Sequence, residues 1–250
     1  MNRHTKSEMR AHVSLTAPFH GANAGILGWV TFIIPVIGLV VDRHFGMAGQ
    51  IVTSIACWVL FLWLVSLETP AWRLTLIIAA AFACAAEMFL SLGLGWYAYQ
   101  FNNIPLFVPP GHVIIFMLGC LLARRMPDWI TIVLPVLAGI YGLVAAIGGW
   151  GTLDTMFAVI FFFAYAYGSS RKTYAFMIIL ALSVELWGTW LGNWAWHKDV
   201  PGLHLTSTNP PILAGCFYAL FDMYVMLSAR AIHRWMGDVP AQSSTNERSN

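Results

Sequence analysis

Glu87, Glu185 and Asp222 each fall near the middle of a long apolar run, in a chain of 250 residues that is 59% hydrophobic and only 10% charged. A charge at the centre of a bilayer costs at least about 2.5–3.5 kcal/mol. Three such groups are therefore expected only where they face one another, a cavity or a substrate. Buried carboxyls suit acid–base chemistry, because apolar surroundings favour the protonated form and a neighbouring carboxyl strengthens that preference. One of Glu87 and Glu185 is then a general acid. The other, or Asp222, is the base that activates water.

Helical spacing collects further groups around these acids. From Glu185, steps of 4, 7 and 11 reach Thr189, Gly192 and Trp196. From Asp222, backward steps of 4 and 7 reach Tyr218 and Gly215, and from Glu87 a forward step of 4 reaches Ser91. Residues so spaced share one helix face. His112, Asn103, Asn193 and Asn209 fall near one level with Trp96, Tyr97, Tyr99, Trp194 and Trp196. The expected site is a pocket opening outward or to the outer leaflet, with an aromatic rim and an acidic floor. Its catalytic candidates are Glu87, Glu185, Asp222 and His112. Its substrate-binding candidates are Trp96, Tyr99, Asn193, Trp194, Trp196, Asn209 and Tyr218. Each also has a plainer role: Trp and Tyr as interfacial anchors, Asn209 as a cap for the last helix, and the acids as glue between helices. Asp42, Asp154 and Asp199 are expected at the outer boundary, in contact with solvent.

Helices must position these groups. A mean hydropathy of +0.70 and the lack of strand-like alternation indicate an all-α, polytopic membrane protein, since only helices and closed barrels satisfy their backbone in lipid. Spans need about 20 apolar residues. Eight are read, at 23–42, 47–67, 72–98, 106–123, 129–149, 152–168, 173–196 and 210–232. With the N-terminus inside, eleven of the 13 Lys and Arg residues lie on the inner side and only Arg43 and Lys198 lie outside. This positive-inside bias puts both termini in the cytoplasm of a multi-pass protein of the cell membrane, most simply a bacterial inner membrane. No cleavable signal peptide is read. The net charge of +2 gives no reason to expect nucleic acid. Cys57, Cys84, Cys120 and Cys216 lie in apolar segments and read as small hydrophobes. No phosphate loop or dinucleotide fingerprint occurs, and no cofactor is called for. A metal held by His112, His197 and His204 stays open, as does a homo-oligomer. Membrane lipids and a hydrophobic small molecule are the expected partners.

The two halves echo each other. Glu87 precedes Trp96 by nine residues, as Glu185 precedes Trp194. An aromatic cluster, an Asn-containing outer loop and a Pro-Pro pair (Pro109-Pro110, Pro210-Pro211) follow in each. An offset of four spans keeps both copies in one orientation, so the chain reads as two parallel four-helix repeats with sites at their interface. The expected organisation is a cytoplasmic segment 1–22, a first repeat 23–127, a second repeat 128–235 and a disordered cytoplasmic tail 236–250.

The stretch GWYAYQFNNIPLFVPPGH carries a G-x-Y-x-Y pattern (Gly95, Tyr97, Tyr99) before an apolar run (Ile104, Pro105, Leu106, Val108, Pro109), and GNWAW spans Gly192 to Trp196. Both segments resemble the membrane carotenoid hydratases, which add water to the terminal double bond of acyclic carotenoids. His112 stands where that pattern has a Trp, and Asn209-Pro210-Pro211 replaces a different second loop. The resemblance implies hydration, dehydration or isomerisation of a double bond in an isoprenoid-like lipid, with Trp194, Trp96 and Tyr99 stabilising a tertiary carbocation through their ring faces. Two other classes suit the same residues. In a proton- or ion-coupled transporter or lipid-binding protein the acids would relay protons or bind cations. In a structural or assembly subunit they would lock helices together.

Overall fold

The computed structural model describes residues 24–238. The expected N-terminal segment and the tail beyond residue 238 lie outside them. Among the described residues there are seven helical elements: α1 (Ala24–Leu67), α2 (Pro70–Glu87), α3 (Val108–Ala123), α4 (Ile130–Gly148), α5 (Thr152–Tyr167), α6 (Arg171–Leu191) and α7 (Ala214–Asp238). Helix α2 continues into a π-helical segment, Met88–Gly93. Five helices are long and apolar enough to cross a membrane, whereas α3 and α5 are shorter. Large side chains face outward along them, such as Ile51, Ile55, Val59 and Leu62 on α1 and Ile132, Val136, Ile140 and Ile147 on α4. Apolar stripes of this extent suit lipid and not water, and they point to a multi-pass membrane protein.

Helix α1 is a hairpin. Gly46 has φ 58° and ψ −141°, a conformation open to glycine alone. The Thr53 hydroxyl then donates to Gly38 O at 2.9 Å. Along a straight helix those residues would stand roughly 22 Å apart. The two legs, 24–45 and 47–67, correspond to the first two expected spans. Other ends differ from expectation. Helix α2 starts where Thr69 accepts from Trp72 N and Pro70 occupies the first turn, a position that suits proline. Its helical path ends at Gly93, not at residue 98, and α6 ends at Leu191, not at residue 196. Gly192, at φ 83°, caps α6 with its N–H on Gly188 O and Thr189 O. Pro109 opens α3 as expected, but Pro210 and Pro211 precede α7, which begins at Ala214.

The chain that leaves the membrane helices early forms strands. Strand β1 (Tyr97–Tyr99) pairs antiparallel with β2 (Trp194–Trp196), in the register Tyr97 to Trp196, Ala98 to Ala195 and Tyr99 to Trp194. Two flanking bonds extend the ladder: Gln100 N donates to Asn193 O and His197 N donates to Trp96 O, both at 2.9 Å. Backbone groups that would otherwise be stranded in apolar surroundings thus satisfy one another. Beyond β2, the short strands β3 (Asp199–Val200) and β4 (Leu205–Thr206) form a hairpin in the loop 197–209. Helices α2, α3, α6 and α7 form a closed ring of neighbours, with the α1 hairpin packed on α3 and the α4–α5 pair packed on α6 and α7. Helix α3 is the most enclosed, with Val113, Ile114 and Met117 fully buried.

Two acids expected at the surface are buried instead. Asp42 is 1% exposed and Asp154 is fully buried, while Asp199 is exposed as expected. Asp154 accepts from Leu213 N at 2.8 Å and Ile212 N at 3.3 Å, and so fixes the approach to α7. Replacing it with Ala leaves two amides without partners. The cost of an unmet buried hydrogen bond is about 1–3 kcal/mol per group, so D154A is expected to lose about 2–6 kcal/mol. A fall in the unfolding midpoint of the detergent-solubilised protein measures it. At the opposite end, in the turn before α4, the Lys172 ammonium donates to Asp128 at 2.7 Å and holds that exposed carboxyl below the usual carboxylate range.

Candidate functional site

The β1–β2 ladder carries two aromatic side chains per strand on alternating positions, so each strand offers one pair to one face. The Tyr97 and Tyr99 hydroxyls both donate to Glu87 Oε2, at 2.8 and 2.9 Å. The Trp194 and Trp196 indole N–H groups both donate to Glu185 Oε2, at 2.8 and 3.0 Å. Each carboxyl thus has one oxygen anchored by two aromatic donors from the strand that follows its own helix. Its second oxygen meets a ring from the next long helix: Glu87 Oε1 lies 3.6 Å from His112 Nε2 on α3, and Tyr218 on α7 donates to Glu185 Oε1 at 3.3 Å. The His112 and Tyr218 rings stack on each other, 5.2 Å apart and 4° from parallel. Glu87 and Glu185 are each only 5% exposed.

The proton inventory follows from donor chemistry. His112 Nδ1 lies 3.1 Å from Val108 O. A carbonyl only accepts, so Nδ1 carries the hydrogen and a neutral His112 presents a bare lone pair at Nε2. Glu87 Oε1 lies 3.6 Å from that nitrogen, an ion-pair separation longer than a hydrogen bond. Glu185 differs. An indole N–H is a donor and nothing else, so Oε2 is committed as an acceptor twice over, and Oε1 is the oxygen left to take or give a proton.

Both acids line one cavity, which encloses about 110 Å³ in which a water-sized sphere can be centred. That is space for several waters or for the end of a lipid chain, since a single water needs about 10–15 Å³ by this measure. Helix α3 contributes Val108, Gly111, His112 and Ile115, and α7 contributes Ala214, Phe217, Tyr218 and Phe221, with the same spacing of 3, 4 and 7 residues. Phe157 of α5 closes one wall against Trp196 and Phe217, with ring centroids 6.3 and 5.5 Å away. Thr53 and Cys57 of the α1 hairpin reach another wall.

Of the residues expected in the pocket, Glu87, Glu185, His112, Tyr99, Trp194, Trp196 and Tyr218 do converge on the cavity. Four do not. Asp222 is buried among α3, α6 and α7, away from the lining, because the cavity takes the α7 face centred between Ala214 and Phe221 and Asp222 lies roughly 90° around the helix from it. Trp96 turns aside to pack on Phe157, 6.5 Å between rings. Asn193 holds the α1 hairpin, donating to Leu39 O at 3.0 Å and Asp42 Oδ2 at 2.6 Å. Asn209 accepts from Trp196 N at 2.9 Å and caps no helix. Phe157, Phe217 and Phe221 line the cavity and are not among the expected residues, and Tyr97, expected at the level of the aromatic rim, is a direct partner of Glu87. The alternation of Tyr97-Ala98-Tyr99 is the signal that pairs Tyr97 with Tyr99. Among the described residues no three His, Cys or carboxylate side chains cluster as metal donors.

The architecture defines a class: a bundle of apolar helices around an aromatic-lined cavity onto which two carboxyls face. No protein-family model matches the chain, and no curated protein or solved structure does either.

Proposed function

We propose that this protein is an integral membrane enzyme that uses acid–base chemistry on a double bond of a hydrophobic, isoprenoid-like lipid, in hydration, dehydration or isomerisation. The observation that carries the reading is the Glu87–His112 pair, 3.6 Å apart and set on the same apolar, aromatic-walled cavity as Glu185; in this reading the pair supplies one acidic proton. In the forward direction the alkene π electrons take that proton to form a C–H bond, leaving a tertiary carbocation. The ring faces of Trp196, Tyr97 and Phe157 stabilise the cation. In hydration, a water oxygen bonds to the cation and its proton passes to Glu185. In isomerisation, a neighbouring C–H bond breaks instead, its electrons form the new double bond, and Glu185 takes that proton. Dehydration is the reverse of the first route. Division of labour between two carboxyls in unlike settings is a recurring arrangement for acid–base pairs.

The same reading treats the chain as two parallel four-helix units about a pseudo-two-fold axis, crossing the cell membrane eight times with both termini inside. Several observations support it. The strand register pairs Tyr97 with Trp196 and Tyr99 with Trp194, and a two-fold at the Ala98–Ala195 pair exchanges those two pairs, the self-complementary pattern of a two-fold interface. The flanking bonds of Gln100 and His197 are equivalents under that operation. On this reading His112 and Tyr218 are equivalents too, and their rings stack on each other. A π-helical turn holds one residue more than the α-helix around it, so Glu87 stands ten residues before Tyr97 and Glu185 nine before Trp194. The equivalent of Trp194 is then Tyr97, and the matching Trp96 spacing in the sequence is one residue out of register. The bias of eleven basic residues against two supports the orientation.

Incubating the purified protein in detergent and D₂O with an acyclic polyprenoid tests the reading. Turnover is expected to place deuterium on the carbon that receives the proton, without any gradient. His112→Gln is expected to lower the rate by about 100-fold, at the lower end for a positioned acid–base group. Gradient-driven uptake into liposomes with no chemical conversion would make the protein a transporter instead.

A further inference from the structure

One buried acid has no part in this chemistry. Asp222, in the middle of α7, is 1% exposed, and neither of its carboxylate oxygens has a hydrogen-bond partner. The titratable groups that face it are Cys120 from α3, Tyr174 from α6 and, one turn toward the cavity on its own helix, Tyr218. Helices α2 and α5 also pack on α7, and no charged group on either offsets its burial. Tyr174 is 1% exposed, its hydroxyl meets Ser169 and Ser170 in the turn between α5 and α6, and it lies against Gly168 there. A bare carboxylate without donors is untenable in apolar surroundings, so Asp222 must keep company with a proton or a cation. Hard cations such as calcium or magnesium take about six oxygen ligands, and the side chains that face Asp222 among the described residues offer only the phenol oxygens of Tyr174 and Tyr218.

We propose that Asp222 holds a proton inside the bundle and exchanges it with the α5–α6 turn through Tyr174, forming a proton site separate from the Glu87–Glu185 cavity. Tyr174 lies in the first turn of α6, and α6 packs along α7, which carries Asp222. Tyr218 stands between this site and Glu185, which makes it the route by which the cavity would be resupplied. That last link rests on the proposed function, and the proton site itself does not.

Infrared difference spectra of the full chain in lipid nanodiscs, recorded in H₂O and D₂O, test it. Asp222→Asn is expected to remove one protonated-carboxyl C=O band that shifts down in D₂O. Tyr174→Phe is expected to keep that band and slow the shift several-fold. Glu185→Gln is expected to leave it in place, which separates this site from the cavity whether or not the cavity is catalytic. The proposal is overturned if Asp222→Asn removes ionised-carboxylate bands instead, if sodium shifts those bands, or if Tyr174→Phe exchanges at the wild-type rate.

Discussion

Glu185→Gln is expected to lower turnover by at least about 1000-fold while the protein still folds, within the range for losing a positioned base. The substitution keeps the shape of the side chain, so the two indole donors can still meet an amide oxygen. What it removes is the capacity to accept a proton at the second oxygen. Glu87→Gln is expected to cost a similar factor for the opposite reason, because an amide cannot share a proton with His112 Nε2. The comparison with structural glue is sharp. If the acids only bind helices together, both variants should lose expression or shift the unfolding midpoint. If they do chemistry, size-exclusion profiles and midpoints should stay near those of the wild type while product formation collapses. The two variants should also part company in a deuterium experiment. With Glu87→Gln no label enters the lipid, whereas Glu185→Gln can still protonate the alkene reversibly and so exchange label into substrate without net conversion.

Much of this site could be read from residue types, and what could not has identifiable causes. A Glu followed by spaced aromatics in both halves identified the two carboxyls and most of their partners. The donors themselves sit on strands, however, because Gly192 turns α6 off its axis and a π turn unwinds the end of α2. Hydrophobicity alone carries both spans four or five residues too far, since Tyr, Trp and Ala are as apolar in a strand as in a helix. The π turn also adds a residue that no composition signal marks, which is why Trp96 looked like the partner and Tyr97 is. Asp222 misled for a different reason. A step of four from Tyr218 suggests a shared face, but the cavity occupies only one sector of α7 and Phe221 fills the place below Tyr218. Asp42 and Asp154 looked like surface acids because they lie near span ends. Their burial depends on tertiary partners, Asn193 for one and the amides of Ile212 and Leu213 for the other, which no local pattern contains. The hairpin at Gly46 was visible as a break between two spans, since seven hydrophilic or small residues interrupt the apolar run there.

Gly188→Ala is expected to destroy the Glu185 half of the site with one methyl group. A β-carbon built on Gly188 would lie 1.9–2.3 Å from three atoms of the Trp194 six-membered ring. Side chains at the end of flexible arms can yield to such a clash, but Trp194 has little freedom. Its backbone is paired with Tyr99 across the ladder, its ring packs on Tyr99 at 6.1 Å, and its indole nitrogen is tied to Glu185. Expelling the ring therefore breaks the hydrogen bond, opens the cavity wall and leaves Glu185 Oε2 with Trp196 alone. Overpacking of this kind costs about 1–3 kcal/mol in stability. Misplacing a catalytic group by about 1 Å can cost 100-fold in rate, so turnover should fall by at least about that factor. Gly215→Ala provides the contrast. Its β-carbon would meet the backbone carbonyls of Met177 and Ile178 at 2.6 and 2.4 Å, which are parts of α6 itself and cannot swing away. That variant should force α6 and α7 apart and lower the unfolding midpoint more than Gly188→Ala does. A pairing of Gly188→Ala with Trp194→Ala decides the mechanism. If the methyl acts by displacing the indole, the double variant should regain the stability that Gly188→Ala loses relative to Trp194→Ala, yet remain as inactive as Trp194→Ala. If the double variant is no more stable than the sum of the two losses, the glycine serves helix packing and the cavity argument at this position fails.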